Sequence, residues 1–266
     1  MTREFERKTF VSDNGVRSRW DAGEVAFGAL LGIPTSATAY ILGQAGFDWI
    51  VLEQQHVYVS EPDLLPLMHA LEVGGTTPIV RVGEQDPIGI ARALDLGARG
   101  IIAPMVNSAD DAELVQRAAQ FPPLGDRSWG APRMHRTPEA ANADVVVTVM
   151  AETPLAVKNL EEILAVSGID GVVLGPSDMA MNLGLPPQAG ANAPEVWEMF
   201  EYIARACRDA GKHFGAMVTD AAVAARMVET GADFLLFSSD IGHVANGVSG
   251  DVTIIEELRS RADAGP

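Results

Sequence analysis

Residues 46–56 read GFDWIVLEQQH, and this short stretch carries the pattern on which the rest of the chain is built. A glycine suited to ending a helix comes first, then an apolar run over 49–52, then four polar residues, Glu53-Gln54-Gln55-His56. A strand that is apolar at nearly every position is covered on both faces, as in parallel sheets. Polar residues directly after it then mark its C-terminal end. The same order recurs at strand candidates 25–31, 49–52, 78–82, 100–105, 145–151, 171–174, 214–218 and 234–237. Amphipathic helical segments at 61–72, 109–120, 194–210 and 221–229 lie between them. Gly46, Gly97, Gly168, Gly211 and Gly231 each stand a few residues before the next strand, where a helix should stop.

Strand–helix alternation without a composition break predicts an α/β fold: a single (β/α)8 TIM barrel over 1–266, with a C-terminal helix at 252–261. A doubly wound open sheet is the competing topology, but the glycine-rich phosphate fingerprint after the first strand is missing. The stretch 121–142, rich in proline, arginine and glycine, is the longest irregular segment, and loops of that length are commonly functional or mobile.

Composition narrows the function. With 266 residues and 47% hydrophobic content, the chain can bury a large core. Its net charge is −17, from 36 acidic and 19 basic residues, and no basic run interrupts the acidity. Such a surface repels a phosphate backbone, so no nucleic-acid partner is expected. Cys207 is the only cysteine, which excludes an internal disulfide and a cysteine-rich metal site. The opening MTREFERKTF lacks the apolar stretch of a secretory signal, and no apolar run reaches membrane-spanning length. A cytoplasmic protein without a membrane partner is the expectation.

In a barrel of this kind active sites lie at the C-terminal ends of the strands. Those ends carry Glu53 to His56 after strand two, Arg81 at strand three, Glu152 at strand five, and Gly175-Pro176-Ser177-Asp178 after strand six. Ser238-Ser239-Asp240 follow strand eight. Glu152 and Asp178 on adjacent strands suit a hard divalent cation, which takes oxygen ligands and keeps open positions for a chelating substrate. Arg81 can place positive charge where an enolate oxygen develops. His56 is the natural base, because imidazole titrates nearest neutrality. Each residue also has a plainer explanation: Glu152 as a helix-start acid, Asp178 as a helix cap, His56 as a structural histidine, Arg81 as an ion-pair partner. Their convergence on one mouth favours a site. Schiff-base chemistry needs a pocket lysine. The chain has only Lys8 before the barrel, Lys158 inside a helix and Lys212 before strand seven. Cys207 and His69 lie in helical segments and His213 at the base of strand seven, which suits packing or structural roles, while His135 and His243 lie in or near loops of the mouth.

Six segments together resemble the HpcH/HpaI aldolases, a family of class II pyruvate aldolases. They are GFDWIVLEQQH (46–56), PIVRV (78–82), ALDLGARGIIAPMV (93–106), FPPLGDRSWG (121–130), AETPLAVKNL (151–160) and GVVLGPSDMAMNLG (171–184). The resemblance runs from about Asp21 to Asp240. It implies a divalent metal (Mg, Mn or Co) on Glu152 and Asp178, chelated by pyruvate or a related 2-oxo acid, with an aldehyde as second substrate. It implies His56 as proton acceptor, made more basic by Asp95, and Arg81 as transition-state stabiliser. It further implies that the Ser177 and Asp178 backbone holds the pyruvate carboxylate, and a homo-oligomer, generally a hexamer. Oxaloacetate decarboxylation passes through the same enolate. Two positions depart from the family pattern: Glu53 where an aspartate is usual, and Met150 where better-known members have a substrate-contacting glutamine. Both bear on the aldehyde accepted more than on the metal and base. A citryl- or malyl-CoA-type lyase and a non-catalytic binding relative are the competing readings. The first lacks a basic patch for coenzyme phosphates, and the second has no reason to keep all four mouth residues.

Overall fold

The computed structural model describes residues 13–130 and 137–263. Eight parallel strands close into a barrel in sequence order, with the last pairing back onto the first. They are β1 (Ala26–Leu31), β2 (Trp49–Glu53), β3 (Thr77–Arg81), β4 (Gly100–Ala103), β5 (Val146–Met150), β6 (Gly171–Leu174), β7 (His213–Met217) and β8 (Phe234–Ser239). The predicted barrel is present, with strand ends displaced by one or two residues. Most usefully, β2 extends to include Glu53.

A short helix α1 (Gly15–Asp21) precedes the barrel. The first half of the ring is α2 (Ser36–Gly43), α3 (Glu61–Gly74), α4 (Pro87–Leu96) and α5 (Ala109–Ala119). The second half is α6 (Pro138–Asp144), α7 (Pro154–Lys158), α8 (Leu160–Leu164), α9 (Pro176–Asn182), α10 (Pro194–Asp209) and α11 (Ala221–Thr230). The final helix is α12 (Asp240–Asp263). Local chemistry sets their limits. The Asp86 side chain accepts from the backbone N–H groups of Ile88 and Gly89, Pro87 opens α4, and Gly97 at φ 121° ends it. Gly168 departs from the helix-stop expectation. It has no left-handed backbone, and a Cβ there would lie 2.2 Å from the Gln116 side chain, so close packing requires it instead.

Two further expectations need correction. The stretch 121–142 ends in α6 rather than staying irregular. Its described residues 121–130 follow α5, which runs back along the barrel, and so begin at the strand-entry end and not at the mouth. His135, expected near the mouth, and Lys8 fall outside the described residues. The terminal helix begins at Asp240, not near residue 252, directly after β8. Three glycines at 242, 247 and 250 lower its helix propensity, which hid its first half in the sequence. The Asp240 side chain accepts from the Gly32 and Ile33 N–H groups, each at 2.9 Å, and so ties this junction to the end of β1. It thus joins the ends of the two strands whose pairing closes the barrel.

Alternation along each strand separates two apolar layers. Ile50, Leu52, Val80, Ile101, Val147 and Leu174 face the helices. Leu30, Trp49, Val51, Ile79, Ile102, Val146 and Phe234 fill the interior. Trp49 stacks on Phe234 at 4.1 Å between ring centroids. That ring is accommodated by Gly28, where a Cβ would approach the indole to 2.3 Å. At the strand-entry end α1 buries Val16 and stacks Trp20 on His213, while Asn14 Nδ2 donates to the Arg99 and Asp144 carbonyls. His213 also contacts Asp233 through Nδ1 at 2.7 Å, as a structural histidine would. Among the described residues no helix is long and apolar enough to cross a membrane.

The Gly28–Trp49 fit yields a stability prediction. Gly28→Ala forces the indole to move and should destabilise the fold by about 1–3 kcal/mol, the usual cost of overpacking a core. The urea midpoint reports it, and combining the change with Trp49→Leu should recover part of the loss. An unaltered midpoint would mean that Trp49 does not fill the barrel as described.

Candidate active site

The parity that packs the interior also builds the mouth. Trp49 and Val51 point inward, so Glu53 does too. Thr77 and Ile79 bring Arg81 inward, and on β5 the same rhythm continues through Met150 to Glu152. The strand register pairs Glu53 with Arg81. Arg81 Nε and Nη2 both contact Glu53 Oε2. The remaining nitrogen, Nη1, faces Met150 Sδ at 3.9 Å, a weak acceptor. Glu53 itself is fully buried, and its Oε1 accepts from the backbone N–H of Gln55 at 2.6 Å and of His56 at 3.3 Å. The turn carrying His56 and the guanidinium are therefore held by one carboxylate. His56 is exposed at the strand exit.

Glu152 is 2% exposed. Its Oε1 accepts from Met105 N–H at 2.9 Å, and Met105 adopts a left-handed backbone, φ 55°, to deliver that donor. Non-glycine residues hold this conformation at a cost, and such outliers cluster at functional positions. On the other side lies Gly175, where a Cβ would come within 2.3 Å of Oε2. Burial raises the Glu152 pKa above the ordinary glutamate value. The Met105 hydrogen bond opposes the shift, the negative charge of Asp178 adds to it, Arg81 opposes it, and Glu53 adds a smaller push. Glu152, Asp178, Arg81 and Glu53 thus share one electrostatic neighbourhood. Asp178 sits in the first turn of α9, whose N-terminus no side chain caps, and Ser177 is exposed beside it. Asn182 Nδ2 bridges the carbonyls of Glu152 and Asp178 at 3.3 and 3.0 Å.

A buried carboxylate that disfavours its own charge, with Asp178 near enough to raise its pKa further, suits a hard divalent cation. Among the described residues no group of three or more His, Cys, Asp and Glu is arranged to hold a metal. A cation at this mouth would take two protein ligands and fill the rest of its shell with water or substrate oxygens. Asp95 lies elsewhere. It occupies the last turn of α4, at the strand-entry end, and accepts from Arg127 Nη2 at 2.8 Å. Desolvation lowers the Arg127 pKa, and Asp95 offsets part of that. Within one chain α4 carries Asp95 away from His56. Lys212 donates to the Ile169 carbonyl at the strand-entry end, and Lys158 ends α7 on an exposed surface. His243 lies in the first turn of α12, exposed and in a helix rather than a loop.

Sequence reasoning missed three contributors: Glu53 as the shared anchor, the Met105 N–H, and Gly175 as the space for a carboxylate. Counting parity from Trp49 would have found the first. The other two depend on backbone geometry that residue types do not encode.

The fold and this mouth define a parallel barrel that gathers carboxylates around a guanidinium at its strand exits, with His56 on the turn beside them. A family model described as HpcH/HpaI aldolase/citrate lyase matches residues 31–247. The chain is 35% identical over 245 residues to a 4-hydroxy-2-oxo-heptane-1,7-dioate aldolase of Klebsiella pneumoniae, covering 88% of this chain and 91% of that one. It is 34% identical over 233 residues to a hydroxypyruvate/pyruvate aldolase of Rhizorhabdus wittichii, covering 86% and 93%. A solved citrate synthase superposes with a TM-score of 0.84 at 27% identity, covering 92% of this chain and 98% of that one. The chain belongs to the HpcH/HpaI aldolase/citrate lyase family, and it is a carbon–carbon lyase.

The Glu152 environment yields a pH prediction. Its raised pKa means that the folded chain keeps a proton the unfolded chain has already released, so folded stability falls as pH rises across that interval. Glu152→Gln removes this penalty. In metal-free protein the variant should melt at a higher temperature than the wild type at pH 7. The two curves should converge as pH falls below the ordinary glutamate range. Equal melting temperatures at pH 7 would refute the burial penalty.

Proposed function

We propose that the protein is a metal-dependent class II aldolase that forms the enolate of pyruvate, or a related 2-oxo acid, and adds it reversibly to an aldehyde. The observation that carries this is a buried Glu152 at a strand exit that interacts electrostatically with Asp178 and Arg81, together with an Arg81 Nη1 that meets Met150 Sδ and not a carboxylate. The substrate carboxylate would rest on the Ser177 and Asp178 N–H groups at the uncapped start of α9. His56 takes the methyl proton. Arg81 Nη1 donates to the ketone oxygen as negative charge develops there, which favours the transition state over the ground state. Glu152 and Asp178 would hold a Mg, Mn or Co ion, which supplies Lewis-acid stabilisation of the enolate when bound. Oxaloacetate decarboxylation would follow from the same enolate. A second reading, with citrate as product, is favoured by the likeness to a citrate synthase. Product analysis separates the two.

Assembly belongs to the same proposal. Every residue of α12 from His243 to Ser260 is exposed. Val244, Val248, Val252, Ile255 and Leu258 nevertheless follow helical spacing along it, each 44% exposed or more. Phe27 on β1 and Tyr40 and Ile41 on α2 are uncovered as well. An apolar stripe of this extent signals a protein interface. A homo-oligomer, a hexamer by family resemblance, would bury it. Asp95 can serve His56 only across such an interface, because its own chain places it at the other end of the barrel.

Two measurements test the proposal. Exchange of the pyruvate methyl protons, followed by NMR in D₂O, should require Mg, Mn or Co and stop after chelation. His56→Ala should slow exchange ~100-fold or more with metal affinity unchanged. Full exchange in metal-free enzyme would sink the class II assignment, and normal exchange in the His56 variant would remove it as base. Separately, light scattering should report an assembly for the wild type and smaller species for Val248→Glu/Val252→Glu. A monomeric wild type would contradict the assembly.

A further inference from the structure

Glu53 is the most buried charged side chain at the mouth, at 0% exposure, and the donors it meets come from Arg81 and from the turn that carries His56. Its two oxygens divide the work. Oε2 takes Arg81 Nε and Nη2, and Oε1 takes the N–H groups of Gln55 and His56. We infer that Glu53 is a positioning residue, a single carboxylate that sets the orientation of the Arg81 guanidinium and the turn carrying His56, and so fixes the geometry between cation and base. This rests on the enolisation chemistry proposed above and names how its two groups are held in register.

Three features support it. The planar fork of a guanidinium loses rotational freedom when two nitrogens engage one carboxylate, and here that leaves Nη1 directed toward Met150 and the end of β5. Glu53 and Arg81 are register partners on adjacent strands, so the pair is anchored to the barrel frame and not to a loop. The His56 turn follows β2 immediately and is tied back by the last side chain of that strand. A shorter aspartate would have one methylene less with which to reach both donor sets. Burial of an ion pair is a poor source of stability. A carboxylate kept in this place is better explained by the geometry it imposes.

The test is pyruvate proton exchange in the Mn-loaded holoenzyme, as a function of pyruvate concentration, for Glu53→Gln, Glu53→Asp, Arg81→Ala and His56→Ala and for their double variants. Glu53→Gln should lower the maximal exchange rate ~10-fold or more, the scale of losing hydrogen bonds to a charged group. The pyruvate KM should stay within ~3-fold, because ground-state binding is carried by other groups. In the Arg81→Ala and His56→Ala backgrounds the same change should cost at least ~3-fold less than in wild type, since residues acting through one another are not additive. Glu53→Asp should fall between wild type and Glu53→Gln. It replaces Glu53→Gln in the cycle if the latter does not fold. Independent, multiplying losses in both backgrounds would overturn the inference, as would a rise in KM at unchanged maximal rate. Absence of exchange in the wild-type holoenzyme would be a different failure, that of the enolisation chemistry itself.

Discussion

Inside a closed parallel barrel every second side chain must enter a dry interior, and that constraint decides which residues reach the mouth. Trp49 and Val51 fill the interior below Glu53, Ile79 lies below Arg81, and Val146 and Met150 precede Glu152 on the same face. The chemistry-bearing residues occupy the next rung of an alternation that packing has already set. A one-residue slip in β2 would turn Glu53 outward and bring Leu52 in. Gly28 belongs to the same constraint, because only a glycine leaves room for the Trp49 ring that sets the β2 register.

Electrostatics at the mouth follow from this placement. Three carboxylates, Glu53, Glu152 and Asp178, meet one guanidinium, leaving the cluster short of positive charge. Glu152 responds with a raised pKa, dominated by burial. An excess of negative charge of this kind would favour a small cation, and Glu53 already engages two of the three Arg81 nitrogens. The division is useful for enolate chemistry. In the proposed chemistry Glu152 and Asp178 would accept a metal, Arg81 Nη1 would offer a directed donor, and His56 sits on a turn tied through Glu53 to Arg81.

Much of this was legible in the sequence. Continuous apolar runs with polar ends identified the barrel, and they placed Glu152, Asp178, Arg81 and His56 at strand exits, where the structure has them. The limits are physical. Met105 and Gly175 act through backbone geometry, which residue identity constrains only loosely. Asp95 looked like a helix-end residue, and its place at the strand-entry end keeps it from His56 within one chain. The start of α12 was hidden by three glycines that lower propensity. Once Asp240 clamps its first turn to β1, the helix extends regardless. Gly168 fitted a helix-stop rule yet serves the close approach of Gln116, two roles that sequence alone does not separate.

The central claim is that Glu53, Arg81, Glu152 and Asp178 form one site holding a metal-chelated enolate. Its most direct test is a crystal structure with Mn²⁺ and oxalate, a stable mimic of the pyruvate enolate. The account predicts Mn²⁺ bound by Glu152 and Asp178 with oxalate chelating it. Arg81 should remain paired to Glu53 while Nη1 donates to an oxalate oxygen. Mn²⁺ bound elsewhere, or an Arg81 that swings away from Glu53 to reach the ligand, would contradict it.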